Sequence, residues 1–312
     1  MASVISRLKN YLTEQPNPSA AFQISRSYVS GIHFSRKERR FGGHFVLPLP
    51  PGVLEPSFDK MNILDGAALE GKIREGTRRL RTGESAASLL IPESCLKVFV
   101  FSFDRLPASV KEREELLRWR LNKVIPVKPP DTRISYDVIK SDGQVKVILA
   151  MARSSVIQEY ERLLACCGLK VRTVGIPAPS LVNLLRGDEA RNALIVNVEA
   201  DSVSLLAVLD FEISLYRFKP FLPDALPSML PAQKFETIVN EVENTVHFIE
   251  DREKKKVDAV WVRSAVPKSE GDLLAYVKRR TALPWRSFEP AGPPMVDAGD
   301  EQVISPLIGQ VS

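Results

Sequence analysis

The chain has 312 residues, more than one typical domain and fewer than three. Its 44% hydrophobic and 26% charged residues are ordinary globular values, which excludes disorder, collagen and coiled coil as whole-chain descriptions. Lys plus Arg is 43 and Asp plus Glu is 38, and the excess of +5 is too small over this length to argue for nucleic acid or a membrane surface as partner.

Cys95, Cys166 and Cys167 cannot build a disulfide framework, so a reducing compartment is expected. His33, His44 and His247 are scattered and share no metal-ligand spacing with them, so no metal site is expected. No apolar run reaches the roughly 18 residues of a membrane span, and Met1 to Leu12 lacks a signal-peptide core, which points to the cytosol.

Residues 4–12 carry a short helical stripe, ended by the prolines at 16 and 18. Ala21 to Ile24, Tyr28 to Phe34 and Gly43 to Leu49 read as a three-strand meander, followed by a helix from Asp65 to Arg81 and a strand from Ala87 to Ile91. Leu96 to Phe103 is a Val- and Phe-rich strand. Ser109 and Glu112 have capping-box spacing at the head of a helix that runs to about Asn122. Arg133 to Ile139 and Gln144 to Met151 form a hairpin across Asp142-Gly143, and an amphipathic helix over 155–167 ends at Gly168. After a strand from Leu169 to Val174 and a short helix from Ser180 to Leu185, the theme returns. Ala193 to Val198, Val203 to Leu209 and Ile213 to Phe218 are a second meander, followed by a helix from Phe235 to Arg252, a strand from Ala259 to Val262, a helix from Asp272 to Arg280 and a strand region to Phe288. The tail is rich in Gly and Pro. Two similarly built halves imply a cleft between them.

Several stretches in this order carry a family resemblance. They are Leu106-Pro107, Glu114-Glu115-Leu116-Leu117, Val124-Ile125-Pro126 and Ile134 to Val138. Val147 to Ser154, Tyr160 to Leu164, Cys167-Gly168-Leu169 and Ala178 to Leu185 follow, and an N-terminal amphipathic segment with a Pro-containing linker precedes them. With this layout the chain resembles the PilM family of type IV pilus assembly proteins, and is similar to the cytoplasmic part of the GspL family of type II secretion. The resemblance implies an α/β, actin-like ATPase fold: two ribonuclease-H-like lobes around a nucleotide cleft, with a small inserted αβ subdomain in the first lobe. The expected organisation is an N-terminal tail and linker over 1–19, a first lobe over 20–175 with the insert at about 96–153, a second lobe over 176–290 and a C-terminal segment over 291–312.

Active members of such a family carry an Asp-x-Gly turn in each lobe. The carboxylate holds metal and water, and Gly lets the backbone approach phosphate. Here the first turn reads Gln23-Ile24-Ser25-Arg26-Ser27, with Ser30 where a Lys is expected. The second reads Asn197-Val198-Glu199-Ala200-Asp201-Ser202, and the late Gly-Gly turn is replaced around Ser264 by Arg263 to Pro267. Amides do not replace two carboxylates as metal–water ligands with equal strength, and a Glu where phosphate should lie adds repulsion and bulk. The expectation is a pseudo-ATPase without cofactor, with Arg26 and Asp201 facing the cleft as polar turn residues. The rival expectation is an ATP-binding or ATP-hydrolysing protein with unorthodox ligands.

Glu112, Glu114 and Glu115 suit the dipole at a helix N-terminus better than an acid–base site, and the cations at 254–256 and 278–280 fall at helix C-termini. No aromatic residues interleave with those cations, which argues against nucleic acid. The resemblance also implies a partner: a PilN-like inner-membrane protein whose cytoplasmic N-terminal peptide lies between the first lobe and the inserted subdomain. Arg118, Trp119 and Arg120 on the subdomain helix are the candidate contacts, since Arg and Trp are common interface anchors. Peripheral attachment to the inner membrane through that partner, and contact with pilus or secretion ATPase machinery, complete the expectation.

Overall fold

The computed structural model describes residues 18–35, 40–80, 83, 85–125, 131–141, 144–221, 231–266, 269–288 and 300–311. The expected helix over 4–12, the end of the expected helix at Arg81, Pro126, the turn at 142–143, Pro267 and the stretch 289–299 lie outside these residues. In chain order the first half runs β1 (Ala20–Ile24), β2 (Tyr28–Ser35), β3 (Arg40–Pro48), α1 (Gly66–Leu80), β4 (Ala86–Leu90), β5 (Leu96–Phe103), α2 (Val110–Val124), β6 (Thr132–Ser141), β7 (Gln144–Arg153), α3 (Ser154–Cys166) and β8 (Lys170–Gly175). The second half runs α4 (Pro177–Leu181), β9 (Asn192–Val198), β10 (Ser202–Leu209), β11 (Glu212–Pro220), α5 (Pro231–Glu253), β12 (Ala259–Ser264), α6 (Ser269–Arg280), β13 (Trp285–Ser287) and α7 (Glu301–Val311).

The two large sheets repeat one another. Their strand orders are β3-β2-β1-β4-β8 and β11-β10-β9-β12-β13, each an antiparallel meander extended by two parallel strands. The sheet β5-β7-β6 forms the inserted subdomain, with Leu117 and Leu121 of α2 packed on Phe101, Val147, Leu149 and Met151. Phe58, from the loop before α1, joins that core and anchors the insert to the first lobe. Its loop is held by Glu159, whose carboxylate accepts the backbone N–H groups of Asn62 and Ile63, each at 2.8 Å.

Strand alternation sends Phe22 and Ile24 of β1 into a core with α1 and α3, and Leu194, Val196 and Val198 of β9 into a core with α5 and α6. The intervening positions face the other way. Ala21, Ile32 and Leu90 meet α7 through Ile304, Leu307, Ile308 and Val311.

Three local expectations are corrected. Ser109 is the N-cap of α2, but its side chain makes no capping bond. The short helix begins at Pro177, where a missing N–H costs nothing, and tightens to a 3-10 turn at Val182–Leu184. The Gly- and Pro-rich tail, for which no element is expected, holds a buried helix, α7, with Pro306 and Gly309 inside it. Gly309 is there because α7 crosses α4 closely: a Cβ at this position would lie 1.9 Å from the Ser180 carbonyl oxygen. Gly309→Ala is therefore expected to lower stability by about 1–3 kcal/mol, as overpacking does. Gly71→Ala, on the open face of α1, should raise it by about 1 kcal/mol. Denaturant midpoints test the pair; two equal shifts would contradict the close crossing.

Candidate functional site

The two meanders present matching turns to each other. The Ser25 N–H bonds the Tyr28 carbonyl at 2.9 Å, and the Glu199 N–H bonds the Ser202 carbonyl at 2.9 Å, so Ser25 and Glu199 hold equivalent places. Each turn is tied down in the same way, Leu49 N–H to the Ser27 carbonyl and Phe221 N–H to the Asp201 carbonyl, both at 2.8 Å. Two residues before each turn, the outward alternation places Gln23 on β1 and Asn197 on β9, and parallel pairing puts Arg263 of β12 beside Asn197.

These positions meet in one buried network. The Glu199 carboxylate accepts from Ser25 Oγ at 3.0 Å, Tyr28 Oη at 3.0 Å, Gln23 Nε2 at 3.3 Å and Arg263 Nη1 at 2.5 Å. Arg263 has no exposed surface, and all five of its N–H donors are used. Nη1 also reaches Asn197 Oδ1 at 2.7 Å, Nη2 reaches Tyr28 Oη at 2.9 Å and the Val303 carbonyl at 2.8 Å, and Nε reaches the Gln302 carbonyl at 2.7 Å. The last contact follows from sequence. Pro306 has no N–H for the carbonyl four residues back, so Gln302 is free to accept from the arginine. Burial opposes the Arg263 charge, but Tyr28 and Glu199 keep its pKa above the ordinary value, and burial pushes the Tyr28 phenol up.

A second carboxylate bridges the halves. Glu93, in the 3-10 turn Glu93–Cys95 after β4, accepts from Ala178 N–H at 2.9 Å, Asn197 Nδ2 at 3.1 Å and Tyr216 Oη at 2.9 Å. Burial raises its pKa against these bonds. Asp201 is raised as well, by burial and then by the charge of Glu199.

The sequence-predicted positions are thus largely gathered. Gln23, Ser25, Asn197 and Glu199 are in the network, and Arg26 and Asp201 pair at 3.8 Å across the turn tips. Ser202 Oγ donates to Asp201 at 3.2 Å, and the Ser264 hydroxyl accepts the Val266 N–H at 3.3 Å. Ser27 contributes its carbonyl to the turn. Ser30 is buried, and its hydroxyl has no partner among the described residues. Tyr28, Glu93, Tyr216 and the role of Arg263 are not legible in the local sequence pattern, save that a lone cation after the apolar run Ala259–Val262 marks Arg263 as a residue in need of a partner.

Gln23, Ser25, Arg26, Glu93, Glu199 and Asp201 border a crevice of about 10 Å³, room for roughly one water. A nucleotide-sized ligand needs several hundred Å³. Both Glu199 oxygens are occupied by protein donors, so the residues present do not fit a magnesium–triphosphate in this arrangement.

On the inserted subdomain, Arg118, Trp119 and Arg120 are all exposed. Trp119 lies two positions from each of the buried Leu117 and Leu121, hence on the outer face of α2. It is 51% exposed, with the Lys123 ammonium 3.7 Å from its ring centre. Arg120 leans back over Phe101 at 5.7 Å, covering the subdomain core. These residues are remote in sequence from the crevice and do not join its hydrogen bonds.

No protein-family profile and no curated protein sequence matches this chain. Among solved structures it is similar to the PilM–PilN type IV pilus biogenesis complex, with a TM-score of 0.77 at 17% identity over 95% of this chain and 97% of that one. It is also similar to the cytoplasmic domain of EpsL, an inner-membrane component of the type II secretion system of Vibrio cholerae, with a TM-score of 0.53 at 11% identity over 93% and 94%. A Bacteroides thetaiotaomicron protein of unknown function with an actin-like ATPase fold matches with a TM-score of 0.54 at 10% identity over 93% and 95%. The chain has the actin-like fold.

The network makes a quantitative prediction. Arg263→Met or Glu199→Gln, by stranding the other partner, should each cost about 3–5 kcal/mol. The double variant should cost less than the sum by more than about 1 kcal/mol, because the two groups share one network. Urea denaturation of the four proteins checks this; additive losses would contradict it.

Proposed function

We propose that the chain is a non-catalytic, actin-like scaffold of a type IV pilus or type II secretion inner-membrane assembly. It works by binding the cytoplasmic N-terminal peptide of a PilN-like membrane protein. The observation that carries this reading is the likeness to the PilM–PilN complex along nearly the whole of both chains. The likeness to an EpsL cytoplasmic domain agrees with it.

Physical features of the chain support the same reading. The crevice between the turns has room for about one water, which supports a reading without bound nucleotide. The insert carries an exposed indole between two exposed arginines, on a helix fixed to its sheet by Leu117 and Leu121. Such a side chain loses little entropy on docking and buries a large area. No helix among the described residues is long and apolar enough to cross a membrane. In this reading the chain is held at the inner membrane by its partner.

The test is a calorimetric titration of the full chain with a synthetic peptide from the cytoplasmic N-terminus of the source organism's PilN-like protein. Saturable binding is expected, weakened at least about tenfold by Trp119→Ala, the size of a modest interface anchor. Absence of binding to any such tail would overturn the proposal.

A further inference from the structure

The second lobe carries a cavity of about 520 Å³ that the network does not use. Its floor holds Trp261, Trp285 and Phe288, all buried, and its rim holds Arg186, Lys278 and Arg286, all exposed. Glu189, also in the lining, is engaged with the backbone N–H of Arg186 at 2.9 Å. Among the described residues none of the three rim cations is in an ion pair. The Trp261 indole N–H is buried and meets no acceptor among the described residues, a state that native proteins seldom leave unfilled.

We infer that this cavity receives an acidic segment of a partner polypeptide, through carboxylates set among Arg186, Lys278 and Arg286 and an acceptor for the Trp261 indole. The volume is in the range of organic ligand sites, and an inorganic anion would fill little of it. A nucleotide base finds no bare ring to stack on, because Arg286 lies over Trp261 at 5.5 Å, Phe288 packs beside it at 5.6 Å, and Trp285 is buried. A peptide supplies both charge and apolar side chains for Leu184 and the aromatic edges. The inference uses no residue of the crevice or of the inserted subdomain, so it stands or falls apart from the pilus reading.

The experiment titrates the full chain by calorimetry at low salt with a blocked peptide of alternating glutamate and leucine, and with its glutamine counterpart. The glutamate peptide is expected to bind saturably and at least about tenfold more tightly than the glutamine one, with affinity falling as salt rises. Lys278→Glu with Arg286→Glu, both exposed, should abolish that binding, and Trp261→Phe should weaken it. Arg78→Glu, on exposed surface of α1, is the charge control and should leave it unchanged. Equal binding of the two peptides, or retention of binding in the charge-reversed variant, would overturn the inference. So would ATP or pyrophosphate binding that is lost in that same variant, since the cavity would then be a small-anion site.

Discussion

A guanidinium with no exposed surface dictates how the two halves of this protein meet. Arg263 follows four apolar residues in its strand, and a buried charge persists only where a counter-charge and a full set of acceptors surround it. Glu199 supplies the counter-charge from the neighbouring turn, Tyr28 reaches in from the first lobe, and two carbonyls come from α7. One side chain therefore couples both lobes and the C-terminal helix. Glu93 adds a second tie, between the turn after β4 and the second lobe, through Ala178, Asn197 and Tyr216, and it joins the arginine network at Asn197.

The same arrangement explains what became of the fold's characteristic site. In two ribonuclease-H-like halves, equivalent turns face each other, and that is where a phosphate-binding protein places small residues and acids. Here the equivalent residues are Ser25 and Glu199, and they bond to one another. Gln23 and Asn197 stand two positions earlier on each strand and turn their amides to Tyr28, Glu199, Glu93 and Arg263. The altered positions fit one another: Ser25 and Gln23 bond Glu199 across the lobes, and Asn197 bonds Glu93 across them as well. The proposed peptide contact on the inserted subdomain and the inferred acidic-segment site on the second lobe both lie away from this crevice.

Much of this was legible beforehand, for physical reasons. Period-2 alternation and turn residues marked the strands, so the repeated meanders and the helices on 3.6-residue stripes fell within a few residues of their observed limits. The altered turn residues were readable because they depart from a chemical requirement at fixed spacing. What escaped was long-range. Nothing local shows that Glu199 will meet Arg263, 64 residues on, or that Tyr28 will meet it across 235. The tail helix escaped because Pro306 and Gly309 argue against a helix locally, and only contacts with Arg263 and Ser180 explain both. Trp119, on the other hand, could be assigned to the outer face only once Leu117 and Leu121 were seen to be the buried pair of α2.

The central claim is that the crevice between the lobes is closed by protein groups and holds no nucleotide. The most direct measurement is a crystal structure of the chain grown with saturating magnesium and ATP. The account predicts Arg263 closed on Glu199, Ser25 bonded to the same carboxylate, and no nucleotide between the two turns. An ordered triphosphate lying between the Ser25 and Glu199 turns, with those bonds broken, would contradict it.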